Sequence, residues 1–302
     1  MYSFQLGQVN INIDFRHYLG AGNVVTLSIE INYSSNIAIM KKLANKVVVI
    51  TGAGMGLGLA TAIEAAKEGA SLMLVDYNEE KLSEAVTAVK KAAADTKVVS
   101  FAADVSDESK VKAYVAKTVE TFGTIDGFYN NAGIEGRQAP LDSYDLDVFK
   151  KVIDINLMGV YYGLRYIIPI MQQKNYGRIV NVASVGGIRG VLNQTPYVAS
   201  KHAVSGMTKN VALEYGRYGI TANAIAPGAI LTPMVAEAFK QINPDDPKTA
   251  ETEYAKANPT KRLGLPEEVA KVVVFLLSDD ASYVSGQTIA IDGGQSEVYG
   301  NV

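Results

Sequence analysis

Short apolar runs alternate with helical patterns over most of the chain, which predicts a parallel β-sheet covered by helices on both faces. The apolar runs place strands near residues 46–51, 71–76, 97–103, 125–130, 177–184, 220–225 and 287–291. Right-handed crossovers arrange such units in the doubly wound order 3-2-1-4-5-6, and ligands bind at the carboxyl ends of the strands. The sequence therefore predicts an α/β fold whose crevice contains Gly52, Asp76, Asn130 and Ser184.

The first 39 residues do not follow this rhythm. They contain alternating stretches such as Val9–Phe15 and Val24–Ile31, and their charged residues exclude the apolar core of a signal peptide. Met40 is followed at once by a Lys-rich stretch and the first strand. The simplest hypothesis is a mis-assigned start codon, with one domain at residues 40–302; a genuine extension forming an extra hairpin is the alternative.

A second irregular region covers residues 229–266, where prolines recur amid polar residues. A long insertion after a strand is more often functional than idle, so we expect a substrate lid. Its apolar underside would be formed by Met234, Val235, Ala238 and Phe239. A helix pair packed only for stability is the alternative.

A glycine-rich turn follows the first predicted strand. The run Lys46–Ile50 leads into the sequence TGAGMGLG, and an Ala-rich helical pattern follows from Leu59 to Glu68. Strand, glycine turn and helix in this order aim backbone N–H groups and the positive end of a helix at a pyrophosphate. Such a loop alone is weak evidence, because packing and turn formation account for many of them.

The second predicted strand ends in Asp76, about 20 residues beyond the glycine turn, which is the spacing of a dinucleotide-binding fingerprint. A carboxylate there can hydrogen-bond ribose hydroxyls and repel a 2′-phosphate. The surrounding residues provide no cation to hold that phosphate: Tyr77, Asn78, Ala53, Gly54 and Met55. NAD is therefore favoured over NADP.

Tyr197 and Lys201 stand four residues apart, so on a helix their side chains share one face, and Ser184 lies shortly upstream. A free phenol has a pKa of about 10, and a neighbouring ammonium lowers that pKa toward neutrality. Tyr197 is thus a candidate general acid/base. The alternative is that Tyr197 and Lys201 are helix side chains without a catalytic role.

Together these motifs resemble the short-chain dehydrogenase/reductase family, from roughly Lys42 to the C-terminus. The family's TGxxxGxG motif matches residues 51–58, and its NNAG segment matches Asn130–Gly133. The resemblance implies a Rossmann-type sheet with a seventh strand at its edge. It also implies a catalytic tetrad of Asn156, Ser184, Tyr197 and Lys201.

The resemblance further implies a site for NAD(H). Asp104 and Val105 would hold the adenine ring, and Pro227, Gly228 and Thr232 would form the loop on the nicotinamide side. The full set of expected cofactor contacts is Gly52, Gly54, Met55, Gly56, Leu57, Gly58, Asp76, Tyr77, Asp104, Val105, Asn131, Ala132, Gly133, Tyr197, Lys201, Pro227, Gly228, Ile230 and Thr232.

The implied reaction is reversible hydride transfer between a ketone and the nicotinamide of NADH. Ser184 would hydrogen-bond the carbonyl oxygen, Tyr197 would donate the proton, and Lys201 would lower the pKa of Tyr197 and hold the ribose. Asn156 would seat a water linking Lys201 to solvent; a plain helix-bending Asn is the alternative. A binding protein without turnover, serving as a sensor or scaffold, remains a rival, as does an alcohol or sugar dehydrogenase working in the oxidative direction. Nucleotide hydrolysis is disfavoured, since the glycine loop lacks the lysine of a P-loop.

Five segments resemble, more closely, a family member that acts on a cyclic diketone: Asn131–Gln138, Ala183–Gly190, Glu214–Ile220, Ala224–Met234 and Ser278–Tyr283. Several of them would border the substrate. An alicyclic ketone is therefore expected, in preference to a sugar nucleotide or an acyl-carrier substrate.

The composition of the chain argues against several other kinds of function. The net charge of -3 argues against a nucleic-acid partner. The absence of Cys excludes thiol catalysis and fits a cytoplasmic location. With only His17 and His202 present, no metal site is expected, and no apolar run of 18 residues suggests a membrane span.

The helices around Asn156 and Tyr197 carry apolar positions on more than one face, which calls for a second burial partner. Those positions are Ile153, Leu157, Tyr161, Leu164, Val204, Met207, Val211 and Tyr215. Family members commonly pair these helices across a two-fold axis, so a homotetramer is expected, with Gly294–Val302 at another subunit contact.

Overall fold

The computed structural model describes residues 2–6, 9–17, 25–33 and 41–297. The chain divides into two compact units, Met1–Met40 and Lys41–Val302. In the first unit, β1 (Tyr2–Leu6), β2 (Val9–His17) and β3 (Val25–Tyr33) form an antiparallel sheet in the order β1-β2-β3. Which start codon is used stays a prediction.

The second unit contains a parallel sheet of seven strands. They are β4 (Val47–Thr51), β5 (Ser71–Asp76), β6 (Val98–Ala102), β7 (Gly127–Asn130), β8 (Gly177–Val182), β9 (Ile220–Pro227) and β10 (Thr288–Ile291). Their order is β6-β5-β4-β7-β8-β9-β10, the predicted doubly wound order with the seventh strand at the edge. The predicted Rossmann-type α/β fold is confirmed.

Helices cover both faces of this sheet. They are α1 (Gly56–Lys67), α2 (Glu79–Ala92), α3 (Glu108–Phe122), α4 (Leu146–Ile153), α5 (Gly159–Gln173), α6 (Thr195–Tyr215), α7 (Pro233–Ile242), α8 (Pro247–Ala257) and α9 (Pro266–Leu277). One core joins the sheet to α1, α2 and α9, and the other joins it to α3, α5 and α6. Successive strand residues alternate between the cores: Val48 and Ile50 enter the first, and Val49 enters the second. Burial on both faces explains the continuous apolar runs.

Strand β9 is longer than predicted. Ala226 and Pro227 pair with Ala290 and Ile291 of β10. This pairing keeps two more residues in strand conformation, so β9 ends at Pro227 rather than at residue 225. Among the described helices, none has the length and apolar character that a membrane crossing needs.

The predicted lid forms the helices α7 and α8. Phe239 is buried and packs edge-on against Tyr254 of α8, with ring centroids 5.6 Å apart. Met234, by contrast, is 41% exposed. Part of the predicted apolar underside therefore joins the two helices to each other, and its role as a lid stays a prediction.

Candidate active site

The glycine turn between β4 and α1 has little room for side chains. Gly52 and Gly56 adopt positive φ angles of 63° and 55°, a conformation that glycine tolerates best. A Cβ on Gly58 would lie 2.0 Å from the carbonyl oxygen of Gly52. Helix α1 starts with Met55 at its N-cap and no side chain capping it, and Leu57 lies in its first turn. Its first N–H groups are therefore suited to bind an anion.

Hydrogen bonds hold the end of β7 against the end of β4. The Thr51 hydroxyl accepts from the N–H groups of Asn131 (3.0 Å) and Ala132 (3.1 Å). The Asn131 side-chain amide donates to the carbonyls of Thr51 (2.9 Å) and Gly52 (3.1 Å). Two predicted cofactor segments that are about 80 residues apart in sequence thus lie side by side.

Asp76 is buried at the end of β5, and both of its carboxylate oxygens accept from backbone groups. Gly54 N–H donates to Oδ2 (2.9 Å), and Asn78 N–H donates to Oδ1 (3.0 Å). The carboxylate is therefore fixed against the glycine turn. The neighbouring Tyr77 is 77% exposed.

The nicotinamide-side loop also reaches the glycine turn. A Cβ on Gly56 would lie 3.5 Å from Thr232, whose hydroxyl caps α7 by accepting from Val235 N–H. Gly228, which follows Pro227 at the end of β9, donates its N–H to the Ile291 carbonyl (3.0 Å).

Three further predicted cofactor contacts, Val105, Asp104 and Ile230, differ in which of their atoms could reach a ligand. Val105 is buried, and a Cβ on Gly159 would lie 2.8 Å from it. The Asp104 carboxylate is engaged in a turn, accepting from the N–H and hydroxyl of Ser106. The side chain of Ile230 lies in the core beside α1 and α9, so only its backbone could meet a cofactor.

Asn156 lies in a π-helical turn, Asp154–Met158, that joins α4 to α5. Its side chain is fully buried and spans to the loop after β7: the amide donates to the Ile134 carbonyl (2.8 Å) and Oδ1 accepts from Ile134 N–H (2.8 Å). A Cβ on Gly133 would lie 3.0 Å from that Oδ1 and 3.4 Å from Lys201 Nζ. The predicted helical Asn is therefore a link between the helix and the loop, next to the lysine.

Lys201 is buried on α6, where its ammonium donates to the Val182 carbonyl at the end of β8 (2.8 Å). Burial lowers the pKa of Lys201 to about 8, because the charged form loses hydration. The ammonium lies 5.6 Å from the centroid of the Tyr197 ring. The shared helix face predicted from sequence is thus present.

The Tyr197 side chain is partly exposed, yet burial raises the pKa of its phenol to about 12. The Ser184 hydroxyl opposes this rise as a hydrogen-bond partner, and the negative charge of Glu135 adds to it. In this structure loss of hydration is the largest influence on the pKa of Tyr197, and the lowering of that pKa by Lys201 stays a prediction. Ser184 precedes a 3₁₀ turn, and its oxygen accepts from Gly186 N–H (3.1 Å).

Glu135 was missed by the sequence reasoning. Its half-buried Oε1 accepts from the side-chain amides of Gln138 (3.3 Å) and Gln194, and burial raises the pKa of its carboxyl. No local sequence pattern indicated it, since Gln194 precedes α6 and has no motif of its own. A second missed residue is Lys81, whose Cβ lies 3.0 Å from the position that a Cβ on Gly54 would take, although its ammonium pairs with Glu84 (2.8 Å).

Helix α7 contacts the same loop. The Gln241 side chain accepts from Gln138 N–H (3.0 Å) and donates to the Gly136 carbonyl (3.5 Å). The loop after β7 thus connects the start of α6, through Glu135 and Gln194, with helix α7, through Gln241. No group of residues suited to hold a metal ion occurs within the described ranges.

Comparison with known proteins places this crevice in a family. A family model described as enoyl-(acyl carrier protein) reductase matches residues 52–296. The chain belongs to the short-chain dehydrogenase/reductase family. It is 54% identical over 258 residues to levodione reductase of Leifsonia aquatica, covering 85% of this chain and 97% of that relative. Cyclohexanol dehydrogenase of an Acinetobacter strain is 41% identical over 252 residues, covering 83% and 95%.

Solved structures of short-chain dehydrogenases/reductases share this fold. Levodione reductase matches with a TM-score of 0.84 and 54% identity, over 85% of this chain and 100% of that chain. NAD+-bound xylitol dehydrogenase gives 0.81 and 37%, over 84% and 100%. An actinorhodin polyketide ketoreductase with NADPH gives 0.80 and 34%, over 84% and 98%. This short-chain dehydrogenase/reductase is thus an alcohol/ketone oxidoreductase that uses a nicotinamide dinucleotide.

Proposed function

We propose that the enzyme is an NAD(H)-dependent oxidoreductase that reversibly reduces an alicyclic ketone to a secondary alcohol. The observation that carries this proposal is the meeting of Ser184, Tyr197 and Lys201 beside the loop after β7, where a Cβ on Gly133 would lie 3.4 Å from Lys201 Nζ. Ser184 interacts with the Tyr197 phenol, and the buried Lys201 lies beneath the same ring. A proton donor and a cation therefore adjoin a site suited to a dinucleotide.

The described residues fit NAD(H). The uncapped start of α1 suits the pyrophosphate, and Asp76 suits the ribose hydroxyls of adenosine while repelling a 2′-phosphate. Lys201 has three N–H donors and one hydrogen bond to a described residue, the carbonyl of Val182. Its other donors would hold the nicotinamide ribose. When bound, the nicotinamide supplies or accepts the hydride.

The side chains would handle the proton. Ser184 would donate a hydrogen bond to the substrate carbonyl oxygen, and Tyr197 would transfer its proton to that oxygen as it becomes an alkoxide. A pKa of about 12 keeps the Tyr197 phenol protonated near neutral pH. The protonated phenol is therefore suited to donate a proton in ketone reduction, and alcohol oxidation is favoured by high pH.

A substrate screen tests the proposed function. We expect NADH consumption with cyclic ketones and diketones, and weaker consumption with open-chain ketones and sugars. The names of the relatives support this class, because levodione reductase and cyclohexanol dehydrogenase both refer to ring compounds. Turnover with sugars alone, or no turnover with any carbonyl compound, would contradict the proposal.

The homotetramer stays part of the proposal, in modified form. Leu164, Val204 and Val211, expected at a subunit contact, belong to the chain's own core. The apolar surface that remains exposed on these helices includes Tyr161 (37%) and Leu213 (83%). Light scattering at micromolar concentration should give about four times 32.3 kDa; a fully active monomer would contradict it. Residues 298–302 of the predicted C-terminal contact lie outside the described residues.

A further inference from the structure

The segment that follows β10, residues 292–296, is held in a turn by its own hydrogen bonds. The Asp292 carboxylate accepts from the N–H groups of Gly294 (2.9 Å) and Ser296 (2.7 Å). Gly293 and Gly294 adopt positive φ angles of 66° and 86°, a conformation that glycine tolerates best. The turn therefore fixes the backbone from which the Gln295 side chain extends.

Gln295 contacts three segments that are distant from one another in sequence. Its side-chain amide donates to the Tyr254 hydroxyl on α8 (2.5 Å). Its backbone carbonyl accepts from the Arg189 guanidinium (3.2 Å), which belongs to the loop after Ser184. Its Oε1 lies 3.1 Å from the position that a Cβ on Gly228 would take, in the loop after β9. One residue thus joins α8 to two loops that carry predicted site residues.

Helix α8 has few other attachments. None of its residues is buried, and its Tyr254 ring packs edge-on against Phe239 of α7. Within the part of the chain that the structure describes, the bond from Gln295 is the one hydrogen bond that reaches α8 from outside residues 229–266. Elements with so little buried contact open at low free-energy cost. The position of α8 therefore depends on Gln295.

Packing alone does not account for a glutamine at this position. Gln295 Oε1 is buried and has no hydrogen-bond partner among the described residues. A buried amide oxygen without a partner destabilises the folded chain, whereas an apolar side chain of similar size would not carry that penalty. The bond to Tyr254, which an apolar side chain could not make, accounts for the amide.

We infer that Gln295 is a positioning residue for ketone binding. Through Tyr254 it holds α8 on the segment after β10, while Gln241 holds α7 on the loop after β7. Gln295 has no hydrogen bond to Ser184, Tyr197 or Lys201, so it acts on the binding of the ketone and not on the chemical step. This inference rests on the proposed ketone reduction and on the predicted role of residues 229–266 as a lid.

The test measures cyclohexanone reduction at saturating NADH in Tyr254→Phe, Gln295→Leu and the double variant. Tyr254→Phe removes the hydroxyl and keeps the ring that packs on Phe239. Each single change should raise KM for cyclohexanone about twofold to tenfold, the usual effect of one lost hydrogen bond. The values of kcat and of the Kd for NADH should stay unchanged. The double variant should resemble either single variant, because both changes remove the same bond.

Gln287→Leu is the matched control for Gln295→Leu. Gln287 is exposed just before β10, and its side-chain amide donates to the Ser285 carbonyl (3.1 Å). This variant should keep the wild-type KM. An unchanged KM in both single variants, or two effects that add in the double variant, overturns the inference while wild-type turnover preserves the proposed function. A wild-type enzyme that reduces no cyclic ketone overturns both.

Hydrogen exchange provides a readout that does not depend on turnover. Backbone amides of α8 should exchange faster in Tyr254→Phe and Gln295→Leu than in the wild-type protein, while those of β4 and β8 keep their protection. Unchanged exchange in α8 would mean that Gln295 does not hold this helix. Faster exchange throughout the chain would reveal a general loss of stability and would likewise overturn the positioning role.

Discussion

Replacing Tyr197 by Phe should reduce ketone turnover by about 100-fold to 10,000-fold, the usual loss when a general acid is removed. The ring fits closely: a Cβ on Gly186 would lie 3.4 Å from it, and Phe preserves this packing. The only group lost is the phenol, which Ser184 adjoins. NADH binding, measured by fluorescence titration, should therefore change little while kcat falls.

A matched control separates loss of chemistry from loss of stability. Tyr114 is buried on α3, so Tyr114→Phe makes the same substitution within the core, away from the crevice. It should leave kcat within a few-fold. If Tyr197→Phe retained substantial activity, Tyr197 would not be the proton donor.

A change of cofactor preference is the second large effect expected. Asp76→Ser combined with Tyr77→Arg should shift the ratio of kcat/KM for NADPH over NADH by about 100-fold to 10,000-fold, because two charged interactions change together. NADH loses a hydrogen bond to the Asp76 carboxylate, and the 2′-phosphate of NADPH acquires a guanidinium partner. Ser can keep one backbone contact of Asp76, and position 77 is 77% exposed, which leaves space for Arg.

The control for this experiment is Glu79→Ser, which removes a nearby exposed acid at the start of α2. If NADPH use depends only on the local negative charge, it should change in both variants. If position 76 and position 77 contact the cofactor directly, it should change only in the variant that carries Asp76→Ser and Tyr77→Arg. If the wild-type enzyme used NADPH as well as NADH, the role assigned to Asp76 would be wrong. Lys81 would then be the cation to examine, once released from Glu84.

The fold was predictable because its signals are local. Strands such as Val47–Thr51 are buried on both faces, so they form continuous apolar runs whose boundaries are clear. The glycine turn was predictable for a similar reason, since positions such as Gly58 leave no space for a Cβ. The family resemblance then ordered the motifs around one crevice.

What could not be predicted depends on contacts between distant segments. The meeting of Glu135 with Gln194 joins residues 59 positions apart, and neither has a sequence signature. The pKa of Tyr197 depends on the balance between burial and charge, and the spacing to Lys201 carries no information about burial. Likewise, no local pattern distinguishes the π-helical turn at Asn156 from ordinary helix.

Two hydrogen bonds join the Asn156 side chain to the backbone of Ile134. A substitution of Asn156 would therefore change two parts of the site at once. Any substitution of Asn156 would release the backbone beside Glu135 as well as alter the surroundings of Lys201. Reduced turnover in such a variant would therefore have two structural causes, a released loop after β7 and altered surroundings of Lys201. Adapting this scaffold to new substrates is better begun at Gln138, Gln194 or Gln241, whose side chains bond to the same loop without contacting Asn156.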